Sequence, residues 1–297
     1  MSWGEGDIPS LDGKVALITG ANSGIGLAAA TIMAKHGARV VMACRNAAKA
    51  EAAAQHVRAT ATGPVEIVPL DLSSLASVDE CASAFRRNEP KLDYLFNNAG
   101  LMWIDEARTA DGFEMQFGVN HLGHFALTAK LWPLLVATEG SRVVNQSSFG
   151  HRLGGRIRTD DLMFEQRGYN RLVPYFHSKL ANLLFTAELH RRNTSTVAAL
   201  TAHPGGTHTD LGSEGKGWTN AVTRLGMPLM QSAHMGALPI VRAAVDPSAK
   251  SGEFYGPNLM FRGAPRREKP SRHARNAEDA RVLWERSEEL TGISFQP

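Results

Sequence analysis

"TGANSGIG", residues 19–26, decides how this chain folds. It follows the apolar run "KVALIT" (residues 14–19) and opens an Ala-rich segment, so a buried strand turns directly into a helix at this point. Gly20, Gly24 and Gly26 allow a sharp turn in which bare backbone comes close to a ligand. The N–H groups that open the following helix would then face an anion, as in pyrophosphate-binding turns. A tight turn without a ligand is the alternative.

Short β-branched runs and longer amphipathic segments alternate along the rest of the chain. This is the pattern of βαβ units, in which helices cover both faces of a parallel sheet. The sequence therefore predicts an α/β fold with a Rossmann-like, doubly wound parallel sheet of about seven strands. The predicted strands are residues 14–19, 39–44, 65–70, 92–97, 141–146, 196–203 and 253–256, and the predicted helices are residues 25–36, 47–60, 75–87, about 113–137, 174–192 and 277–290.

No change in composition divides the 297 residues, so we predict one domain over residues 1–297 with an ordered core at about 11–293. Two segments are long for connections between neighbouring elements, namely residues 149–172 and the Gly-rich, polar residues 212–231. Loops of this kind often close over ligands. We expect both to be insertions that contact substrate.

The composition argues against several classes of protein. No run of about 18 uncharged apolar residues is present, and residues 1–10, "MSWGEGDIPS", carry acids where a signal peptide has a basic region. We expect a soluble, cytoplasmic protein without an integral membrane segment. Cys44 and Cys81 lie in no CxxC or Cys/His cluster, so neither a disulfide nor a metal site is predicted.

The charge also argues against nucleic acid as a partner, because a net charge of +3 is small and dispersed. One stretch, "RGAPRREKPSRHAR" (residues 262–275), is locally basic. The sequence predicts a solvated loop broken by proline there, with a contact to an acidic ligand or a second subunit as the alternative.

Tyr175 and Lys179 stand four residues apart in "YFHSK" (residues 175–179). On a helix such residues share one face and can act at one site. A free phenol, with a pKa near 10, donates its proton poorly at neutral pH, and a nearby ammonium lowers that pKa. The pair is therefore a candidate for acid–base chemistry, although by itself it could be an accident of composition.

Further motifs follow the predicted strands in order: "NNAG" (residues 97–100), "VVNQSS" (residues 143–148) and "HPGGTHTDL" (residues 203–211). With the Gly-x-x-x-Gly-x-Gly spacing and "YFHSK", they resemble the short-chain dehydrogenase/reductase superfamily over almost the whole chain. The resemblance implies transfer of a hydride between a nicotinamide cofactor and a carbonyl or alcohol, with the protein supplying position and electrostatics.

The resemblance also implies a role for each catalytic candidate. Tyr175 would be the acid/base, and Lys179 would tune it and hold the nicotinamide ribose. Of the two serines in "VVNQSS", the family pattern selects Ser148 to polarise the substrate oxygen. Asn120, in "FGVNHLGHF", would hold a water against Lys179 in a proton relay; an exposed helix residue or a polar kink is the alternative. His151 is a weaker candidate for substrate contact, with a surface residue as the alternative.

Arg45 bears on the choice of cofactor. At the end of the second strand an acid would bind the ribose of NAD, but here Cys44 and Arg45 occupy that place. A guanidinium binds phosphate through paired charge-assisted hydrogen bonds, so NADP(H) is predicted and NAD(H) is less favoured. A surface arginine without this role is the alternative.

Other cofactor contacts follow from the resemblance. Asp71 would accept from the adenine amine, unless it caps the next helix, and Leu72 would pack nearby. Asn98 lies in the segment that would line the cofactor, although its amide could instead connect strand ends. Thr209 would hold the nicotinamide carboxamide. The full predicted set is Gly20, Asn22, Ser23, Gly24, Ile25, Gly26, Arg45, Asp71, Leu72, Asn98, Ala99, Gly100, Tyr175, Lys179, Pro204, Gly205, Thr207 and Thr209.

The long gap between Ser148 and Tyr175, "ACRN" (residues 43–46) and the closing "ARNAEDARVLWERSEELTGI" resemble the retinol dehydrogenase and WW-domain oxidoreductase branch, which protochlorophyllide reductases also resemble. This branch implies a lipophilic carbonyl or alcohol substrate. The superfamily resemblance implies a homodimer or homotetramer that forms through two helices, one of which would be the helix at residues 174–192. A silent NADP(H)-binding redox sensor, a light-driven pigment reductase and a sugar-nucleotide epimerase are the alternatives. Apolar pocket candidates, which could equally be core residues, are Met102, Trp103, Phe149, Leu153, Trp218 and Met227.

Overall fold

Eight strands form one sheet in the part of the chain that the structure, a computed structural model, describes: residues 2–207 and 230–297. Their order across the sheet is β3-β2-β1-β4-β5-β6-β7-β8. The strands are β1 (Val15–Thr19), β2 (Arg39–Cys44), β3 (Val65–Pro69), β4 (Tyr94–Asn97), β5 (Arg142–Gln146), β6 (Ala198–Ala202), β7 (Phe254–Pro257) and β8 (Pro265–Glu268).

The strand order reverses at β1, which pairs with β2 on one side and with β4 on the other. All neighbours from β3 to β7 are parallel, and only β8 runs antiparallel to β7. In such sheets the crevice outside the carboxyl ends of the strands, at the reversal, is where ligands bind. The predicted doubly wound α/β fold is confirmed.

Helices cover both faces of the sheet. One core lies between the sheet and α1, α2 and α6, and on the opposite face the sheet packs against α3, α4, α5 and α7. The helices are α1 (Gly24–Lys35), α2 (Ala47–Arg58), α3 (Leu75–Asn88), α4 (Met115–Phe117 and Gly123–Val136, joined by a π-helical turn at Gly118–Leu122), α5 (Leu172–Arg192), α6 (Ala233–Val245) and α7 (Ala277–Thr291).

The prediction of a solvated loop at the basic residues 262–275 is wrong in part, because residues 265–268 form β8. The sequence carries no strand pattern there, since Arg266 and Arg267 are both exposed and only Pro265 is buried. Proline is tolerated at the start of an edge strand, where its missing N–H costs no interior hydrogen bond. The carbonyl of Pro265 accepts from Arg242 Nη1 at 2.6 Å, which ties the strand to α6.

The closing helix α7 packs on α5. Trp284 stacks on Phe185 with ring centroids 5.6 Å apart, and the Arg192 guanidinium lies 5.0 Å from the Trp284 ring. This face of α5 is therefore covered within the same chain. The predicted homodimer or homotetramer stays a prediction, and it would have to use other surfaces than the Phe185 face.

Three properties expected from composition can be described for residues 2–207 and 230–297. No helix there is both long and apolar enough to cross a membrane. The same residues contain no cluster of three or more His, Cys, Asp or Glu side chains placed to hold a metal ion. Cys44 and Cys81 are both buried free thiols, and burial raises the pKa of Cys44 to about 11 and that of Cys81 to about 12.

A buried polar network connects the carboxyl halves of three strands to α5. Asn97 Nδ2 donates to Asn145 Oδ1 at 2.8 Å, and Asn145 Nδ2 donates to Thr186 Oγ1 at 2.9 Å. Thr201 Oγ1 lies 2.7 Å from the same Thr186 hydroxyl. Because water cannot replace a lost partner at full burial, each bond is expensive to remove.

We expect Asn145→Ala to lower the free energy of unfolding by roughly 2–4 kcal/mol, because it leaves polar groups of Asn97 and Thr186 unpaired. Urea denaturation monitored by circular dichroism measures this. Asn88→Ala, at an exposed position at the end of α3, is the matched control and should change stability little. Equal effects of the two substitutions would show that the network is not a source of stability.

Candidate active site

The glycine turn between β1 and α1 has the geometry that a phosphate-binding turn requires. Gly20 and Gly24 have φ of +67° and +53°, a region that side chains disfavour. A Cβ on Gly26 would lie 2.3 Å from the Gly20 carbonyl oxygen, so the turn closes only with glycine there. Ser23, the N-cap of α1, makes no side-chain cap hydrogen bond, which leaves first-turn N–H groups open to a bound anion.

Thr19 joins this turn to the end of β4. The N–H groups of Asn98 and Ala99 both donate to Thr19 Oγ1 at 2.9 Å. His124 Nδ1 lies 3.1 Å from the Asn120 carbonyl, so Nδ1 carries the proton and Nε2 accepts from the Thr19 hydroxyl at 2.9 Å. Burial lowers the pKa of His124 to about 3, which keeps the ring neutral.

A cleft of about 830 Å³ opens at this carboxyl edge of the sheet. Its volume is typical of a site for a cofactor or small ligand. Many residues predicted from the motifs line it together: Gly20, Asn22, Ser23, Gly24, Ile25, Gly26, Arg45, Asp71, Leu72, Asn98, Ala99, Gly100, Tyr175, Lys179 and Pro204.

Asp71 and Asn98 show how the open alternatives resolve. Asp71 Oδ1 accepts from the backbone and hydroxyl of Ser73, at 2.9 and 2.6 Å, and the cap of α3 is Ser74. Asp71 is therefore not the helix cap. Asn98 Nδ2 donates to the Thr19 carbonyl at 2.9 Å, so this amide does connect strand ends while it lines the cleft.

Tyr175, Ser148 and Lys179 come together beside the cleft. Tyr175 is buried on α5 and its hydroxyl hydrogen-bonds to Ser148. Lys179 Nζ lies 5.9 Å from the Tyr175 ring centroid and donates to the Gln146 carbonyl at 3.3 Å. The neighbouring Ser147 instead donates to the Lys179 carbonyl at 2.7 Å, so Ser148 is the serine that contacts the tyrosine.

The electrostatics of the pair differ from the sequence prediction. Burial raises the pKa of Tyr175 to about 12, with the Ser148 hydrogen bond acting in the opposite direction. Burial also lowers the pKa of Lys179 to about 8. Desolvation thus outweighs the expected effect of the ammonium on the phenol. Tyr175 keeps its proton at neutral pH, which is the form that can donate to a carbonyl oxygen.

Asn120 lies in the π-helical turn of α4 and is fully buried. Its Oδ1 accepts from Leu101 N at 2.7 Å and its Nδ2 donates to Ser178 Oγ at 2.9 Å. A Cβ on Gly100 would lie 3.0 Å from Asn120 Oδ1 and 3.2 Å from Lys179 Nζ, so both side chains border the same glycine. Asn120 is therefore not an exposed helix residue, and its role in a proton relay stays a prediction.

His151 is buried, and each of its two ring nitrogens has a hydrogen-bond partner within the protein. It is 1 % exposed, its Nδ1 lies 2.7 Å from the Ser148 carbonyl, and Ser271 N lies 3.4 Å from its Nε2. Because a carbonyl only accepts, Nδ1 donates to it. His151 thus holds the turn that carries Ser148.

The structure does not bring every predicted residue to the cleft. Gly205 and Thr207 are absent from its lining, although Thr207 Oγ1 donates to the carbonyl of the lining residue Pro204 at 3.0 Å. Thr209, Trp218 and Met227, with nearly all of the predicted 212–231 insertion, lie outside the described residues. Their predicted roles stay predictions.

Motif reasoning missed several residues of the cleft. Lys49, in the first turn of α2, lines it together with Arg45 and His56. The signal was available, because Lys49 lies in the first turn of the helix that begins directly after the strand end carrying Arg45. Gln146, the last residue of β5, also lines the cleft, and in "VVNQSS" the motif points only to the serines that follow it.

Comparison with known proteins fits this geometry. The family model described as "short chain dehydrogenase" matches residues 14–219. Human retinol dehydrogenase 13 is 40% identical over 293 residues, covering 96% of this chain and 86% of that protein. Mouse retinol dehydrogenase 12 is 41% identical over 290 residues, covering 96% and 89%. A crystal structure of an uncharacterized protein from Mycobacterium paratuberculosis superimposes with a TM-score of 0.84 at 42% identity and covers 99% of both chains.

The chain belongs to the short-chain dehydrogenase family. It is therefore an oxidoreductase that uses a nicotinamide cofactor, and it resembles retinol dehydrogenases over nearly its whole length. The predicted family and branch are confirmed.

Lys179 should cost stability at neutral pH. Its pKa in the folded protein, about 8, lies below the ordinary value of 10.5, so folding opposes its protonation. We expect Lys179→Met to raise the free energy of unfolding by roughly 1–3 kcal/mol below pH 8 while removing turnover. The gain should shrink as pH rises from about 8 to 10.5, where the lysine also becomes neutral in the unfolded chain.

Thermal unfolding of both proteins across this pH range provides the measurement. Lys250→Met, at an exposed position, should show no such pH-dependent gain. A Lys179→Met protein that is less stable than the parent at pH 7 would show that the ammonium stabilises the fold.

Proposed function

We propose that this protein is an NADP(H)-dependent oxidoreductase that interconverts a lipophilic aldehyde or ketone and the corresponding alcohol. The observation that carries the proposal is the buried contact of Tyr175 with Ser148, next to Lys179, at the edge of the cleft that the glycine turn opens. Acid–base groups and a phosphate-binding turn at one cleft are what hydride transfer to a carbonyl requires.

The residues of the cleft fit a dinucleotide. The turn at Gly20–Gly26 suits a pyrophosphate, since it combines positive φ, no room for side chains and open helix N–H groups. Lys179 and Tyr175 line the same cleft. The nicotinamide, when bound, supplies or accepts the hydride.

Side chains of the protein donate the proton to the substrate oxygen and replace it afterwards. Tyr175 Oη keeps its proton at neutral pH and donates it to the substrate oxygen as negative charge develops there. Ser148 Oγ accepts from the Gly150 N–H at 3.1 Å, which fixes its position, and its hydroxyl stabilises the same oxygen. Lys179, with its pKa near 8, is poised to return a proton to the phenolate at moderate pH.

The preference for NADP(H) rests on charge. Arg45 and Lys49 line the same end of the cleft, and no acidic residue follows β2 where the ribose of NAD would need one. Cys44, which stands there, is buried, and burial raises the pKa of its thiol to about 11. Two cations without a competing acid favour an additional phosphate.

A lipophilic substrate is favoured by the apolar residues around Tyr175. Trp103 adopts φ of +58° and places its ring 6.5 Å from that of Tyr175. Met102 lines the cleft, and Phe149 packs against Phe261 with centroids 4.9 Å apart. The names of the relatives, retinol dehydrogenases, agree with an apolar carbonyl or alcohol as substrate class.

Tyr175→Phe tests the reaction. It removes the proton donor and keeps the ring, so we expect turnover to fall by at least about 100-fold with the NADPH dissociation constant nearly unchanged. The measurement is NADPH consumption with a panel of aldehydes, ketones and retinal. Tyr94→Phe, in β4 on the opposite core, is the matched control. Equal turnover by the Tyr175→Phe and parent proteins would remove Tyr175 as the acid.

Arg45→Ala tests the cofactor. We expect the NADPH dissociation constant to rise by roughly tenfold to 100-fold, because a charge-assisted hydrogen bond to phosphate is lost, while NADH binding changes little. Fluorescence titration of both cofactors measures this, with Arg87→Ala, in the last turn of α3, as the control. A parallel loss for both cofactors would contradict the phosphate contact.

A further inference from the structure

A buried histidine and a carboxylate form a pair that the proposed chemistry does not use. His203 follows β6 and is 1 % exposed, and Glu268 ends β8. His203 Nε2 lies 3.3 Å from Glu268 Oε2. On the other side of the ring, the Gly205 N–H donates to His203 Nδ1 at 3.2 Å. The ring therefore connects the edge strand to the turn at Pro204–Gly205.

These partners fix one tautomer of His203. Nδ1 receives a hydrogen bond from an amide and must be unprotonated, so Nε2 carries the proton and donates it to Glu268. Burial opposes ionisation of Glu268, but the His203 hydrogen bond and the nearby charges, including that of Arg152, hold the pKa of its carboxyl below its usual range. The acceptor is thus a carboxylate at neutral pH.

A glycine in the neighbouring strand β7 leaves room for the His203–Glu268 pair. Gly256 lies in β7, where a Cβ would stand 2.1 Å from His203 Nε2 and 2.8 Å from Glu268 Oε1. Any side chain at position 256 would therefore displace the ring or the carboxylate. Glycine weakens a strand interior, and a close approach such as this one is a reason to keep it.

The same pair reaches the turn that carries Ser148. Phe254 stacks on His203, with centroids 5.3 Å apart, and meets the ring of His151 edge-on at 5.4 Å. His151 in turn donates to the Ser148 carbonyl. On the other side, Arg152 Nη2 lies 3.8 Å from Glu268 Oε2. One packed group of side chains thus contacts both turns.

We propose that Glu268 and His203 are positioning residues, which hold the Pro204–Gly205 turn at a fixed place relative to Ser148 at the cleft. Pro204 lines the cleft together with Tyr175, so a shift of this turn changes the shape of the site. This proposal rests on the proposed function for its effect on turnover. Its effects on the His203 tautomer and on NADPH binding can be measured without turnover.

The consequence of losing the carboxylate follows from the hydrogen-bond inventory. Without Glu268, the Nε2–H of His203 is a buried donor with no acceptor, which favours the other tautomer or a rotated ring. Either change removes the acceptor for the Gly205 N–H. Gly205 has φ of +70°, and the Gly206 N–H donates to the Phe261 carbonyl at 2.8 Å, so the turn keeps a second anchor and need not unfold.

The test compares Glu268→Ala with Glu268→Gln. The glutamine carbonyl still accepts from Nε2–H, so Glu268→Gln should stay within about threefold of the parent, whereas Glu268→Ala should lower kcat by roughly tenfold to 100-fold and raise the NADPH dissociation constant. Glu253→Ala is the matched control, since Glu253 precedes β7 and pairs with Arg267 and with Tyr255, which belongs to the opposite core.

The direct readout is the imidazole nitrogen NMR spectrum of the folded protein before any NADPH is added, with the His203 signals assigned by their loss in His203→Phe. The parent and Glu268→Gln should show the Nε2–H tautomer, and Glu268→Ala should not. His203→Phe keeps the stacking on Phe254, so it should reproduce the kinetics of Glu268→Ala, and the double variant should lose nothing further.

An unchanged tautomer and unchanged NADPH affinity in Glu268→Ala would overturn the proposal. So would a Glu268→Gln protein as impaired as Glu268→Ala, because that result would assign the effect to charge and not to orientation of the ring. If the parent binds NADPH but turns over no carbonyl, the proposed function fails, while the tautomer and the dissociation constants still decide this proposal. If Glu268→Ala does not fold, His203→Phe replaces it in the affinity comparison.

Discussion

The geometry of the cleft depends on one buried hydroxyl, that of Thr19 at the end of β1. It receives the N–H groups of Asn98 and Ala99, which begin the segment after β4, and it donates to His124. Through the other nitrogen of that ring it is connected to Asn120. Because Thr19 is 0 % exposed, water cannot substitute for any of these bonds. The position of the glycine turn relative to the end of β4 and to α4 is therefore set by the hydrogen bonds of this one hydroxyl.

Burial explains which parts of the fold could be predicted. The strands β1, β2, β4, β5 and β6 are covered on both faces and stand out as continuous apolar runs, since polar residues there would be costly. β8 does not, because it has a single buried residue, Pro265, followed by two exposed arginines, so neither an apolar run nor an alternating pattern marks it. The π-helical turn at Gly118–Leu122 also gives no periodic signal, since it inserts one residue into an otherwise regular helix.

The sequence predicts those parts of the site whose residues lie close together in the chain. Tyr175 and Lys179 share a helix face, and the glycine turn follows a strand, so spacing alone places them. His203 and Glu268 are 65 positions apart and meet only because β8 folds back beside β7. The pKa of Tyr175 differs from the prediction for a related reason: the sequence shows the neighbouring charge of Lys179, but only packing shows how much water the phenol loses.

The short antiparallel strand β8 also affects how the protein behaves among copies of itself. A sheet edge with unpaired N–H and C=O groups is a template for joining another chain, and β7 would present such an edge along a row of buried residues. β8 covers it with four residues that begin with proline and carry two exposed arginines, features that discourage further pairing. The strand that brings the Glu268 carboxylate to His203 thus also covers the edge of β7, so the loss of β8 would expose that edge and remove the partner of His203 together.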